Sequence, residues 1–202
     1  MAGEKLISTI FRLNHKEGAS RQWLASFDRP RKKSCTENVN PFLVLHTFSE
    51  RNNERKNFMS CYRLGHKVPF AYVDGSFNVN NGKYGYGIVL VTDKKSLNFS
   101  GSGCDKEMAQ MRNVAGEIEG AKRAITEAVK LKLRNITIYY DYLGIEKWAT
   151  GEWKRNKPAT IAYHEFVKSA PIRIDFVKVK AHSNVELNEM VDRMAKWEVG
   201  NI

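Results

Sequence analysis

Apolar side chains recur at Val114, Ile118, Ala121, Ile125 and Ala128/Val129, at intervals of 4, 3, 4 and 3. That period is helical and marks one continuous buried stripe from about Asn113 to Leu131. Strand-like segments flank the helix. Phe70–Ser76 alternates, with Phe70, Tyr72 and Asp74 on one face and Ala71 and Val73 on the other. Asn80-Asn81-Gly82 marks a turn into Tyr84–Thr92, which is rich in β-formers, and a third strand follows near Ser96–Ser100. The first three strands therefore form an antiparallel meander. Beyond the helix, Ile136–Tyr140 has the composition of a buried strand. A right-handed crossover through the helix makes Phe70–Ser76 and Ile136–Asp141 parallel neighbours. A short helix after Asp141, a helix after Pro158, a strand over Ile172–Lys180 and a helix from about Val185 complete the order. This succession predicts an α/β fold, a mixed sheet covered by helices.

Acidic residues sit at the ends of these elements. Asp74 lies in Val73-Asp74-Gly75-Ser76, Glu117 in the first turn of the long helix, Asp141 at the end of its strand and Asp192 on the last helix. At about 100° per residue, Glu117 falls some 70° from the centre of the apolar stripe and Glu119 about 130° away on the other side. Glu117 is thus expected at the border of the sheet-facing side and Glu119 in water. Asp74 and Asp141 lie side by side at the carboxyl ends of neighbouring strands, with Glu117 overhanging them. Crowded carboxylates repel one another and protonate unless cations relieve them. Oxygen donors without Cys or additional His suit Mg²⁺ or Mn²⁺ better than zinc. Two such ions about 4 Å apart can activate a water and stabilise the leaving oxygen of a phosphodiester. His182, in a polar loop ten residues ahead of Asp192, is a candidate proton shuttle or aid to product release.

Charge is uneven along the chain. The net charge is +11 over 202 residues. Residues 1–67 carry 13 Lys and Arg against 6 Asp and Glu (+7), and residues 68–202 carry 20 against 16 (+4). Such a basic chain favours nucleic acid or an anionic surface as partner, the alternative being solubility alone. The N-terminal portion contains a basic run, Arg29-Pro30-Arg31-Lys32-Lys33, and one strand-like segment, Phe42-Leu43-Val44-Leu45, but its fold is not legible. The expected division is a basic N-terminal extension, residues 1–67, and a catalytic domain, residues 68–202. Cys35, Cys61 and Cys104 are widely spaced and odd in number, which argues against a disulfide framework or zinc and for a reducing cytoplasm. No apolar run approaches the roughly 20 residues that span a bilayer, and no signal peptide is visible.

Together these residues resemble type 1 ribonuclease H. The matching elements are Asp74-Gly75-Ser76 on the first strand, Asn113-x-x-x-Glu117 opening the long helix, Asp141 ending the fourth strand, and Lys180-Ala181-His182 leading to Asn188-Glu189-x-x-Asp192. Gly144-Ile145-x-x-Trp148 is similar to the family's next helix. The resemblance covers roughly residues 68–202 and implies a ribonuclease H-like mixed five-stranded sheet flanked by helices. It implies cleavage of the RNA strand of RNA/DNA hybrids, leaving 3′-hydroxyl and 5′-phosphate ends. Asp74, Glu117, Asp141 and Asp192 would hold two Mg²⁺ ions, and His182 would assist turnover. Asn113 would contact the minor groove, where the 2′-hydroxyl marks RNA. Gly75, Ser76 and Asn188 would bind substrate, and Trp148 and Trp153 would line the channel for the DNA strand or pack the core.

Two departures stand out. Tyr142 and Leu143 follow Asp141 where the family often has Ser and Gln, and only Lys154-Arg155-Asn156-Lys157 remains where many members carry a basic handle. Handle-less members commonly bind hybrid through a separate N-terminal module, a role open to residues 1–67. No protein partner is implied. The competing readings are a catalytically silent hybrid- or RNA-binding module, and a metal-dependent DNA nuclease or strand-transferase on the same fold.

Overall fold

The computed structural model describes residues 18–26, 69–179 and 186–202. The Arg29–Lys33 run, the Phe42–Leu45 segment and His182 lie outside the described residues. A helical stretch over residues 18–26 (α1) precedes the strands β1 (Phe70–Asn78), β2 (Lys83–Val91) and β3 (Ser96–Gly103). There follow a short helix α2 (Lys106–Ala109), the long helix α3 (Asn113–Lys130), strand β4 (Asn135–Tyr140), helices α4 (Gly144–Thr150) and α5 (Pro158–Ser169), strand β5 (Arg173–Lys178) and helix α6 (Glu186–Val199). The five strands form one mixed sheet in the order β3-β2-β1-β4-β5. β1–β2 and β2–β3 pair antiparallel, whereas β1–β4 and β4–β5 pair parallel. The expected meander and crossover are both present.

The alternation along β1 splits the core into two layers. Ala71 and Val73 face α3, packing with Ile118, Ala121, Ile125, Ile138 and Ile145. Phe70 and Tyr72 face the other way, with Val89, Val91, Leu187 and Val191, under α6. Two helices close on the sheet from opposite sides at one peptide. A Cβ added to Gly116 of α3 would run into the Gly85 carbonyl, while a Cβ on Gly85 would come within 2.7 Å of the Ala195 carbonyl oxygen on α6. Both helices therefore approach backbone rather than side chains.

Three findings depart from expectation. Glu119 is buried at 8% exposure and paired with Lys122 at 3.0 Å, not solvated. The α3 stripe accounts only for the face against the sheet, so burial of the flank by other parts of the fold leaves no trace in the helical period. Residues 18–26 of the N-terminal portion pack against α5, a contact the sequence does not announce. Trp23 of α1 is buried, packs its ring at a tilt against Phe166 of α5 with centroids 4.7 Å apart, and donates its Nε1–H to Ser169 Oγ at 3.1 Å. Lastly, Cys104 is disulfide-bonded. That removes the support which unpaired cysteines gave to a reducing compartment. No local spacing announces it, because the other cysteines, Cys35 and Cys61, are remote in sequence.

Candidate active site

Pairing register brings the first two acids together. Tyr72 of β1 lies opposite Tyr139 of β4. Two residues further along each parallel strand come Asp74 and Asp141. Glu117 reaches them because α3 sits hard against β1. A Cβ on Gly75 would overlap the Asn113 carbonyl oxygen and the Glu117 nitrogen, so only glycine admits the first turn of α3 at this depth. Asp74, Glu117 and Asp141 consequently each offer a carboxylate oxygen within 4.8 Å of the others.

The three carboxylates act on one another. Burial, the charge of Asp141 and that of Asp192 push Asp74 up to about 7, against the opposing pull of the Gly75 N–H and Lys196. That N–H donates to Asp74 Oδ1 at 2.6 Å. Burial and then the charges of Asp141 and Asp74 push Glu117 up to about 9. The Tyr142 backbone N–H opposes this shift, and a hydrogen bond to Asp141 favours the protonated form. The other oxygen of Glu117, Oε2, is buried with no hydrogen-bond partner. Three converging carboxylates, one still lacking a donor, fit a hard divalent cation with oxygen ligands.

Asp192 stands apart. It lies outside the three-acid group and pairs with Lys196, one turn along α6, at 2.7 Å. It still raises the pKa of Asp74 by its charge. The four predicted acids thus share one end of the sheet, three as a cluster and one as a neutralised neighbour.

The other predicted residues are placed as follows. Asn113 is exposed at the start of α3. Ser76 is 6% exposed and accepts from Asn201 Nδ2 at 3.1 Å. Asn188 is buried on α6. Trp148 joins Tyr142 and Trp153 in an aromatic group with centroids 5.8, 5.9 and 6.5 Å apart, Tyr142 and Trp153 being exposed. Sequence reading passed over Lys196, although its i,i+4 spacing from Asp192 was a usable signal. It noted Tyr142 only as a departure, yet that residue supplies both a backbone donor to Glu117 and a ring to the aromatic group. Nothing local points to Asn201.

A βββαβ sheet whose acids converge on the ends of β1 and β4 has a carboxylate group that could hold a divalent cation, as metal-assisted hydrolases require. The sequence model of the RNase H family matches residues 66–199, and the chain belongs to that family. Its enzyme class is that of a ribonuclease H. The ribonuclease H of Caldanaerobacter subterraneus subsp. tengcongensis is 28% identical over 138 residues, covering 63% of this chain and 88% of that protein. That of Neorickettsia sennetsu is 28% identical over 148 residues, covering 64% and 91%. Among solved structures, RNase H1 of the halophilic archaeon Halobacterium salinarum shares the fold, with a TM-score of 0.55 at 20% identity over 66% of this chain and 98% of that one. LC11-RNase H1 in complex with RNA/DNA hybrid has a TM-score of 0.50 at 21% identity, over 63% and 96%. Among the described residues no helix is long and apolar enough to cross a membrane.

Proposed function

We propose that this protein is an endoribonuclease that hydrolyses the RNA strand of RNA/DNA hybrids. The observation that carries the reading is the convergence of Asp74, Glu117 and Asp141 within 4.8 Å at the carboxyl ends of β1 and β4. Membership of the RNase H family and the likeness to a fold solved with hybrid support it. Asp74, Glu117 and Asp141 would hold Mg²⁺ or Mn²⁺, with Asp192 completing a two-ion site. Bound there, the ions would activate water and stabilise the leaving oxygen.

The chain's own residues do the rest. Water adds to phosphorus as the bond to the 3′ oxygen breaks, giving a 3′-hydroxyl and a 5′-phosphate. Asn113, exposed at the helix start, would contact the minor groove and its 2′-hydroxyls. Gly75 and Ser76 border the RNA backbone, Asn188 supports substrate from α6, and Trp148 borders the path of the DNA strand. His182 assists turnover. The nuclease domain is taken as residues 68–202, with the basic extension, residues 1–67, recruiting hybrid through phosphate contacts.

Cleavage of labelled RNA/DNA hybrid, duplex DNA and duplex RNA in Mg²⁺, wild type beside Asp74→Asn, tests this. Hybrid cleavage lost in the variant is the expected result. Hybrid bound but uncut in Mg²⁺ and Mn²⁺ would leave a silent binding module, and preferred cutting of duplex DNA would point to the DNA nuclease.

A further inference from the structure

Two buried side-chain atoms among the described residues lack a hydrogen-bond partner, Glu117 Oε2 and Tyr163 Oη. Both belong to the layer between the sheet and α3–α5, where Tyr163 is 0% and Glu117 4% exposed. An unmet buried polar atom is costly, and native proteins leave few of them. Finding two in one layer is informative because the groups are complementary. A phenol can donate, and a carboxylate oxygen can accept. They also sense each other, since beyond burial the charge of Glu117 is the foremost influence raising the Tyr163 phenol, ahead of Tyr140.

Tyr140 is the competing neighbour. Its hydroxyl hydrogen is given to Glu146 Oε2, so Tyr140 can offer Tyr163 only a phenol oxygen as acceptor. A carboxylate oxygen accepts more strongly than a phenol oxygen. One bond toward Glu117 would satisfy both orphans, whereas a bond to Tyr140 would leave Glu117 Oε2 unmet. The remaining oxygen of Glu117 already faces the Tyr142 N–H and Asp141.

We propose that Tyr163 is a positioning residue for Glu117. Its hydroxyl reaches the inner oxygen Oε2 through one buried water, which turns the outer oxygen toward Asp74 and Asp141. Fully buried in the core on α5, the ring holds the hydroxyl in place, so it fixes the carboxylate as an outer-shell partner fixes a metal ligand. The inference rests on the reading of the three acids as a cation site.

The test is Tyr163→Phe, which keeps the ring and removes only the hydroxyl. Two quantities are read beside wild type: Mg²⁺ affinity of the hybrid-free protein by calorimetric titration, and the melting temperature of the metal-free protein. We expect Mg²⁺ affinity to fall about tenfold, the size typical of a lost outer-shell partner. The melting temperature should drop by about 2–4 °C, because Glu117 Oε2 is then stranded. A melting temperature that stays or rises shows a phenol without a partner and overturns the proposal. A lower melting temperature with unmoved Mg²⁺ affinity assigns the phenol to Tyr140 and overturns it equally. Wild-type protein that neither takes up Mg²⁺ nor cuts hybrid would refute the nuclease reading instead.

Discussion

The acids gathered at the strand ends and α3 are treated differently from the one carried by α6. Where the ends of β1 and β4 meet the first turn of α3, Asp74, Glu117 and Asp141 converge, and two of them are held well above ordinary carboxylate values. On the α6 side Asp192 brings its own counter-charge, Lys196, at 2.7 Å. The trio is a built-in electrostatic conflict that protons or a cation must resolve, while Asp192 is already resolved.

The strongest attempt to break this contrast is Asp141→Asn. Asp141 is the leading charge on both partners. Its loss should reduce hybrid cleavage by about three orders of magnitude, the scale of several kcal/mol of cation-borne stabilisation. The same substitution should raise the melting temperature of the metal-free protein, because repulsion is relieved. Asp192→Asn is the counterpart. Cleavage should fall by about 10–100-fold, with the metal-free melting temperature nearly unchanged. Equal stability gains from the two substitutions would abolish the distinction.

Acidity gives a sharper view. Asp74 and Glu117 have folded pKa values raised above those of the unfolded chain, to about 7 and about 9. Between about pH 4 and these values the folded form holds protons that the unfolded form has lost, so stability falls as pH rises through that window. Melting of metal-free protein from pH 4 to 9 should show the decline, and Mg²⁺ should reverse it. Mg²⁺ affinity should climb by about tenfold per pH unit wherever one proton must leave for the ion to bind. The smallest effect belongs to Lys196→Met. A partly exposed pair contributes roughly 1 kcal/mol or less, so calorimetry should find a melting shift of no more than about 2–4 °C.

How much of this was legible in the sequence follows the range of the interactions. Strand alternation and the α3 stripe depend on neighbours in sequence, and they gave the element order and both core layers. The meeting of Asp74, Glu117 and Asp141 followed from one topological rule, the right-handed crossover. Glu119, Trp23 and Cys104 were misread or unread for the same reason. Their partners or cover come from distant segments: Trp23 bonds Ser169 across 146 residues. Tyr163 carries no signal in the sequence, because the buried Glu117 oxygen that gives its hydroxyl a purpose lies 46 residues away.

The glycine contact at the middle of the sheet bears on how this site tolerates change. Gly116 precedes Glu117 on α3, and Ala195 lies three residues beyond Asp192 on α6. Both rest on the backbone of Gly85. The span between the two acid-bearing helices is thus gauged by the thickness of a single peptide, a dimension that no repacking of core side chains can alter. Drift elsewhere in the core can accumulate without detuning the acids, whereas one methyl group at residue 85 would wedge the gauge open.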